Sequence, residues 1–203
     1  MRKTWVVIAL AMVVFGCGVS AWAEDAPAEG AAGGQKEEPK RYYITQGKQY
    51  GYIDEKGQVA IKPQYEWGDR FAENRAVIKE KTGFYGYIDS DGKPITGVDF
   101  EAAWEFSQGL AAVKVIGKYG YIDIDGNMVI QPRFDYGGKF AEERARVKIG
   151  PFWGFIDKTG NLVVPAEYDE AWDFENGLGR VRKEKNKIGY VNADGQVVWE
   201  PTQ

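Results

Sequence analysis

Histidine is absent from the 203-residue chain, and cysteine occurs only once. Histidine is the side chain most often used as a general base and as a metal ligand, so its absence removes the commonest catalytic arrangements. A single cysteine cannot form a disulfide within the chain, so folding must depend on burial and hydrogen bonding. The sequence also lacks a phosphate-cradling glycine loop and a G-x-S-x-G nucleophile motif. We therefore expect no catalytic residues, no cofactor and no metal site.

A strong basic charge and a long hydrophobic run are also missing. The chain carries 26 basic and 30 acidic residues, for a net charge of −4, which argues against nucleic-acid binding. The apolar stretch at residues 5–15 is shorter than the roughly 20 residues that a membrane-spanning helix needs. Arg2 and Lys3 precede this stretch, and small residues follow it at Ala21 and Ala23. Residues 1–23 are therefore predicted to be a signal peptide, so the protein is exported, periplasmic or extracellular.

The single cysteine, Cys17, offers an alternative end for the leader. It closes the segment "VFGC", which is similar to the cleavage site of bacterial lipoproteins, although Phe15 is bulkier than the small residue usual there. Lipidation of Cys17 would anchor the protein in a membrane, and this anchor is the only membrane contact that we expect. Residues 24–40 consist mainly of Ala, Gly, Glu, Pro and Lys, and they are predicted to form a disordered tether.

Residues 41–203 contain an internal repeat with a spacing of 34 or 35 residues. Each copy is marked by an aromatic–Gly–aromatic triplet such as "YGYID", weakened to "IGYVN" in the fifth copy. The triplet glycines are Gly51, Gly86, Gly120, Gly154 and Gly189. In the first four copies, aromatic residues recur fourteen and twenty positions after this glycine, at Tyr65, Phe100, Phe134 and Tyr168 and at Phe71, Phe106, Phe140 and Phe174.

This pattern resembles the WG-repeat (tryptophan–glycine) family of bacterial proteins. The resemblance depends on the triplet, the glycine six residues beyond it, the apolar segment that ends near a proline and the two aromatic columns. Only Trp153 keeps the motif's tryptophan, and Val98 stands where other copies have proline. The resemblance implies a β-rich interaction repeat, often found on exported proteins, and it implies no catalytic residue.

Each copy is predicted to form three antiparallel strands. In "KYGYID", Tyr119 and Tyr121 share one face of a strand, and we expect a neighbouring aromatic to lie over Gly120 on the other face. Turns such as "DIDG" lead to a return strand that proline is expected to end, because proline has no N–H to donate. A compact bend with room for one helical turn follows. The third strand is clearest in "RARVKI", where basic and apolar residues alternate.

The fold class is therefore all-β, with tandem repeats stacked into a twisted β-solenoid or meander. The alternative is a closed, five-bladed propeller-like ring. It is suggested by the ends of the array, since "RYYITQ" resembles a third strand without its predecessors and the last copy has no third strand.

The turn "DIDGN", at residues 123–127, has two acids of a calcium-binding loop. An EF-hand loop requires a glutamate six residues after its glycine, whereas Pro132 follows Gly126 at that distance. The same turn recurs without the spare acids as "DEKG" and "DKTG", so we interpret it as a structural turn.

Two columns remain as candidate binding residues. The basic column would suit an anionic polymer or an acidic partner, although a solvated face with alternating charges is the favoured interpretation; it contains Lys79, Lys114, Lys148 and Arg182. The tryptophans of the bends would suit sugar faces, although packing is the commoner role of aromatics in repeats; they are Trp67, Trp104 and Trp172.

The sequence thus predicts an exported, non-catalytic repeat protein of the cell envelope that presents a surface to a protein partner. A cell-wall or glycan-binding module that uses the bend tryptophans is the alternative.

Overall fold

A computed structural model describes residues 39–96, 100–184 and 187–202, with no side-chain detail for the last two. The predicted signal peptide, Cys17 and most of the predicted tether lie outside the described residues.

The described chain contains β-strands and no helix. In chain order the strands are β1 (Tyr42–Gln46), β2 (Gln49–Ile53), β3 (Val59–Tyr65), β4 (Trp67–Gly68), β5 (Arg75–Lys79), β6 (Tyr85–Asp89), β7 (Ala102–Ala103), β8 (Leu110–Val115), β9 (Lys118–Asp123), β10 (Met128–Phe134), β11 (Tyr136–Ala141), β12 (Arg144–Ile149), β13 (Phe152–Ile156), β14 (Leu162–Tyr168), β15 (Glu170–Ala171), β16 (Leu178–Lys183), β17 (Lys187–Asn192) and β18 (Val197–Thr202).

These strands form five small antiparallel sheets, so the predicted all-β tandem repeat is confirmed. In chain order the sheets contain β1–β3, β4–β6, β7–β10, β11–β14 and β15–β18. Each sheet crosses a repeat boundary, because it joins a third strand to the triplet strand that follows it. In four sheets the return strand is added, and in the second sheet the return segment forms the isolated bridges Ile88↔Pro94 and Tyr85↔Phe100. The bend contributes a short fourth strand to this arrangement, as in β7 and β15, rather than the helical turn that the sequence allowed.

The turn after each triplet strand is held by its first residue. In the central copy, Oδ1 of Asp123 accepts hydrogen bonds from the backbone N–H groups of Asp125 and Asn127, at 3.0 and 2.8 Å. Gly126 supplies the positive φ angle of 87° that the turn requires. The same two side-chain bonds recur in the other four turns, where Asn192 replaces aspartate in the last. The predicted turn is confirmed.

A second kind of turn joins each short bend strand to the following long strand. Its two central residues both have positive φ, as in the type I′ turns that match the twist of a β-hairpin. These pairs are Glu73–Asn74, Gln108–Gly109, Glu142–Glu143 and Asn176–Gly177.

In three copies the triplet glycine is required by a bulge in the return strand, not by an aromatic ring; these glycines are Gly51, Gly120 and Gly154. Opposite Gly120, the register jumps from Tyr121↔Ile130 to Tyr119↔Phe134, so the strand bulges at Pro132 and then resumes. A Cβ built on Gly120 would lie 2.4 Å from the carbonyl oxygen of Ile130. The expectation of an aromatic over this glycine was therefore wrong. The expectation that proline ends the strand was wrong too, because β10 continues through Pro132 to Phe134, and at a bulge the ladder does not need the N–H that proline lacks.

The buried aromatic residues form a repeated pair at the junction of consecutive sheets. The second aromatic of each triplet meets the bend phenylalanine edge to face, with ring centroids 4.9–5.2 Å apart. The pairs are Tyr52–Phe71, Tyr87–Phe106, Tyr121–Phe140 and Phe155–Phe174. In the column at fourteen residues, Phe100, Phe134 and Tyr168 are buried and Tyr65 is half-buried.

Each inner sheet is therefore buried on both faces. The described residues form four hydrophobic clusters, one at each junction between consecutive sheets. One face of a sheet presents the triplet aromatics to the next sheet, and the other presents the triplet isoleucine and the apolar residues of the third strand to the previous sheet. The first strand pairs within the first sheet and the last strand within the fifth, so no exchange of strands joins the two ends of the described array.

Polar side chains also connect consecutive repeats at their type I′ turns. Glu73 accepts a hydrogen bond from the backbone N–H of Gly109, and Gln108 accepts one from Glu143, both at 2.8 Å. Glu142 accepts one from Gly177 at 2.7 Å. The first central residue of the type I′ turn therefore binds the backbone of the next copy in three successive repeats.

Candidate binding groove

The described chain has a groove of about 1030 Å³ that is lined by residues of the first four sheets and by Asp173 in the bend between β15 and β16 of the fifth. The short bend strands bring their residues to it. We call this feature the bend groove; it is lined by Tyr43, Glu66, Trp67, Asp69, Arg70, Lys79, Tyr85, Ala102, Ala103, Trp104, Glu105, Tyr136, Lys139, Arg146 and Asp173.

Two of the three candidate tryptophans line the bend groove. Trp67 is 36% exposed and meets the ring of Tyr85 at 6.3 Å, while Trp104 is 41% exposed and lies 6.2 Å from the ring of Tyr136. Tyr136 in turn meets Trp153 at 5.2 Å. Partly exposed rings that are held by neighbouring rings offer apolar contact area at a low entropic cost.

Charged side chains of both signs cross the bend groove between sheets. Glu105 accepts hydrogen bonds from Nε and Nη2 of Arg70, at 3.0 and 2.8 Å, and lies 3.7 Å from Nζ of Lys139. Farther along, Nε of Arg146 lies 2.9 Å from a carboxylate oxygen of Asp173. The hydrogen bonds to Glu105 raise the pKa of the exposed Arg70 guanidinium above its ordinary value. The groove thus has polar groups that are held in place and remain partly open to solvent.

The third tryptophan, Trp172, has a different environment. It occupies the same repeat position as Trp104, two residues before the bend phenylalanine, yet it does not line the bend groove. The guanidinium of Arg180 lies 4.0 Å from its ring centroid instead. Such stacking stabilises both side chains and covers one face of the indole.

The basic column lies on the third strands, and three of its members lie near glutamates on or beside the neighbouring bend strands. Lys79 lies 3.7 Å from Glu66, Lys114 lies 3.9 Å from Glu101, and Arg182 forms an ion pair with Glu170. The three lysines of the column also lie over the ring of the first aromatic residue of the following triplet. The distance from Nζ to the ring centroid is 5.8 Å for Lys79, 5.9 Å for Lys114 and 5.7 Å for Lys148. This arrangement favours the interpretation of a solvated, alternating face, and only Lys79 of the column lines the bend groove.

The described residues contain no group of three or more acidic, histidine or cysteine side chains placed to hold a metal ion. In the turn "DIDGN", the oxygens of Asp123 are instead engaged by the amide groups of its own turn; the side chain of Asn127 donates to Oδ2 at 3.0 Å. This hydrogen bond, supported by backbone N–H groups, lowers the pKa of Asp123 below its ordinary value.

Comparison with known proteins identifies the family. The model of the WG containing repeat matches the chain four times in tandem, at residues 50–81, 85–119, 119–150 and 153–187. The chain belongs to the WG containing repeat family. The predicted resemblance is therefore confirmed. No curated protein matches the chain.

Among solved structures, the WG repeats are similar to the extracellular domain of the putative hybrid two-component system BT3049 from B. thetaiotaomicron, with 14% identity and a TM-score of 0.42. That match covers 78% of this chain and 26% of the other. PorZ, a surface component of the type-IX secretion system of Porphyromonas gingivalis, matches with 10% identity and a TM-score of 0.46, covering 82% and 27%. A catalytically inactive virginiamycin B lyase from Staphylococcus aureus matches with 12% identity and a TM-score of 0.41, covering 83% and 73%. The chain spans about a quarter of the length of the first two proteins.

Across the described ranges, the WG-repeat protein has no helix with the length and apolar character needed to cross a membrane.

Sequence reasoning missed most of the charged residues that line the bend groove. The position directly before the bend phenylalanine is occupied in successive repeats by Arg70, Glu105, Lys139 and Asp173, whose charges alternate in sign. Side chains of opposite charge in adjacent repeats attract one another, so this alternation was the signal that such pairs meet. Two of the four form the Arg70–Glu105 ion pair, and Glu105 also lies near Lys139.

Proposed function

We propose that this WG-repeat chain is an exported, non-catalytic protein of the cell envelope whose bend groove binds a segment of a partner protein. The observation that carries the proposal is the groove itself, because four sheets and a bend of the fifth contribute to it. A surface to which four successive repeats contribute is typical of repeat proteins that bind along an extended concave face.

The composition of the groove favours a protein partner. Tryptophan, tyrosine and arginine are enriched at the cores of protein interfaces, and the groove is lined by two tryptophans, three tyrosines and two arginines, among them Trp104, Tyr136 and Arg146. The charged residues supply both signs, so a complementary partner needs both acidic and basic side chains. Because the carboxylates of Glu105 and Asp173 are engaged by cations, they act in this proposal as binding groups rather than as a catalytic acid and base.

Export is supported by the predicted signal peptide at residues 1–23. A protein partner in the envelope or outside the cell follows from that location.

A glycan is the second candidate ligand, and the exposed rings of Trp67 and Trp104 favour it. Indole rings that are partly open to solvent provide flat apolar surfaces for sugar faces, and the carboxylates between them can accept hydrogen bonds from hydroxyl groups.

The proposal is tested by capturing proteins from an envelope extract with the purified chain and with two tryptophan variants. Trp104→Ala removes a ring that lines the bend groove, while Trp172→Ala removes the ring at the same repeat position outside it. A partner that binds the groove is expected to be retained by the wild type and by Trp172→Ala and lost with Trp104→Ala. Circular dichroism establishes that both variants are folded.

A glycan array with the same three proteins distinguishes the two candidate ligands. Retention of a protein from the extract, with no binding to any glycan on the glycan array, supports the proposal. Trp104-dependent binding on the array supports the glycan instead. A protein that all three chains retain equally would contradict a role for the bend groove.

A further inference from the structure

The two ends of the array expose residues whose counterparts in the inner sheets are buried. On the first sheet, Ile44 lies opposite the triplet glycine and is half-buried. The residues at this position in the other sheets are at most 3% exposed; they are Ile78, Val113, Val147 and Val181. The triplet isoleucine of the first sheet, Ile53, is likewise half-buried, whereas Ile88, the equivalent residue of the second sheet, is 1% exposed.

The last sheet exposes the complementary face. Tyr190 is the second aromatic of the fifth triplet and is half-buried, whereas its four counterparts are at most 1% exposed. Its cross-strand partner Trp199 is 58% exposed. The residues equivalent to Trp199 in the first, third and fourth copies are at most 4% exposed because the next sheet covers them; they are Ile61, Ile130 and Val164. The outer face of the last sheet is therefore one half of the junction that occurs four times inside the array.

Tyr42 makes the first sheet a suitable second half. It lies opposite Ile53, at a position that is small in the other sheets, namely Ala76, Ala111, Ala145 and Gly179. The small residue leaves room for the bend phenylalanine, since a Cβ on Gly179 would lie 2.6 Å from the ring of Phe174. No bend strand precedes β1 among the described residues, so no bend phenylalanine covers this position of the first sheet, and Tyr42 is 51% exposed there.

We propose that the outer face of the last sheet binds the outer face of the first sheet of a second copy of this chain, which joins copies head to tail. The two faces are different, so the contact is heterologous and leaves one binding face free at each end of the assembly. Tyr42 of one copy would then meet Tyr190 of the other as Phe71 meets Tyr52 inside the array. The bend groove is not part of this contact.

The test measures molar mass by light scattering during gel filtration over a wide range of protein concentrations. The wild type is expected to increase in mass as concentration rises. Tyr42→Arg and Trp199→Arg each place a charge on one end face, and each is expected to weaken self-association by at least about thirtyfold. Val129→Arg alters an exposed return-strand residue of an inner sheet, 45% exposed, and is expected to behave as the wild type.

Mixing the two end variants identifies the geometry of the contact. Each variant retains the face that the other has lost, so an equimolar mixture is expected to form a one-to-one dimer and nothing larger. If either variant alone associates as the wild type does, the face that it alters is not part of the contact and the proposal is overturned. A mixture that forms no dimers also overturns the proposal. So does a wild type that stays monomeric at every concentration, which is the result expected if residues 1–38 cover an end face.

Two additional variants keep the test informative. Tyr42→Ser and Trp199→Ser replace the same rings without adding charge, and they are used in the same way if circular dichroism shows that an arginine variant does not fold. Trp104→Ala is expected to associate as the wild type does, so loss of groove binding and loss of self-association are measured separately.

Discussion

The ring of Tyr121 meets the ring of Phe140 edge to face, and its hydroxyl donates a 2.9 Å hydrogen bond to the carbonyl oxygen of Gly138. One side chain therefore fixes both the bend phenylalanine and the bend backbone of the next sheet. The hydroxyls of Tyr52 and Tyr87 donate to Asp69 and Trp104 in the same way, at 2.8 and 2.7 Å. Burial raises the pKa of the Tyr121 hydroxyl, which keeps it protonated and able to donate.

Tyr121→Phe is expected to lower the free energy of unfolding by about 1–2 kcal/mol, because the buried carbonyl of Gly138 loses its donor while the ring contact remains. Chemical denaturation measures this difference. The matched control is Tyr42→Phe, which removes a hydroxyl from an exposed ring and is expected to change stability by less than about 0.5 kcal/mol. Equal effects of the two substitutions would show that the buried hydrogen bond does not stabilise the junction.

Gly120→Ala is expected to destabilise the protein by about 3 kcal/mol or more, because its Cβ would lie 2.4 Å from a backbone oxygen that the bulge holds in place. The unfolding midpoint in denaturant measures the change. Gly150→Ala separates this clash from ordinary backbone strain, since Gly150 has a φ of 59° and nothing within 4 Å of its Cβ position. That control is expected to cost only about 1–2 kcal/mol.

Glu143→Gly is expected to stabilise the protein by up to about 1 kcal/mol. Glu143 occupies the second central position of a type I′ turn with a φ of 66°, where the fourth repeat has Gly177. The substitution removes the ion pair with Lys158, but the Glu143 side chain is 60% exposed and the Lys158 side chain 35%, and ion pairs open to solvent contribute little. Thermal unfolding provides the measurement.

Glu143→Ala is the matched control for this turn. It removes the same ion pair and leaves the strained backbone with a Cβ, so no gain in stability is expected. A similar gain in both variants would mean that charge, and not the φ angle, limits the stability of the turn.

Asp123→Asn is expected to reduce the loss of stability in acid. The pKa of Asp123 is lowered in the folded protein, chiefly by the side chain of Asn127, and an aspartate in an unfolded chain titrates near about 3.9. The stabilisation is therefore fully present above that value and is lost as the pH falls through the lower, folded pKa. Asparagine keeps the Oδ1 acceptor, as Asn192 does naturally in the last turn.

Denaturation between neutral pH and about pH 3 tests this prediction. The wild type is expected to be the more stable at neutral pH, and its advantage over Asp123→Asn is expected to shrink as the pH falls. Asp125→Asn removes a charge from the same turn and leaves the hydrogen bonds to Asp123 intact. If it flattened the acid dependence equally, net charge and not the turn would be responsible.

The sequence was sufficient to predict the fold class because its signals are local and recur. The aromatic triplets alternate with a period of two, and each is followed by an Asp-to-Gly turn such as Asp123–Gly126, so strand and turn are specified within a dozen residues. The aromatic columns then predict which residues are buried together. Phe134 and Tyr168 lie in matching interior positions for that reason.

The bulge at Pro132 escaped prediction for a physical reason. A proline was expected to end the strand, but it also fits where the ladder is interrupted and then resumes. The glycine that reveals the bulge, Gly120, lies twelve residues earlier on the neighbouring strand, and only the register joins the two positions.

The bend groove was the least predictable feature, because its residues come from four sheets and from a bend of the fifth. Trp104 and Trp172 occupy the same repeat position, yet one lines the groove and the other stacks against Arg180. The position in the repeat determines where the Cα atom lies in the fold, whereas residues of the adjacent sheets determine how exposed the side chain is.

The turn-to-turn hydrogen bonds have a consequence for how such proteins change over generations. The side chain of Glu73 contacts the copy that follows it, and Gln108 and Glu142 repeat the same contact with the copies that follow them. Because the donor is a backbone N–H, a duplication that copies one of these periods supplies both partners of the new turn-to-turn hydrogen bond, and the array lengthens without a new side chain at that contact.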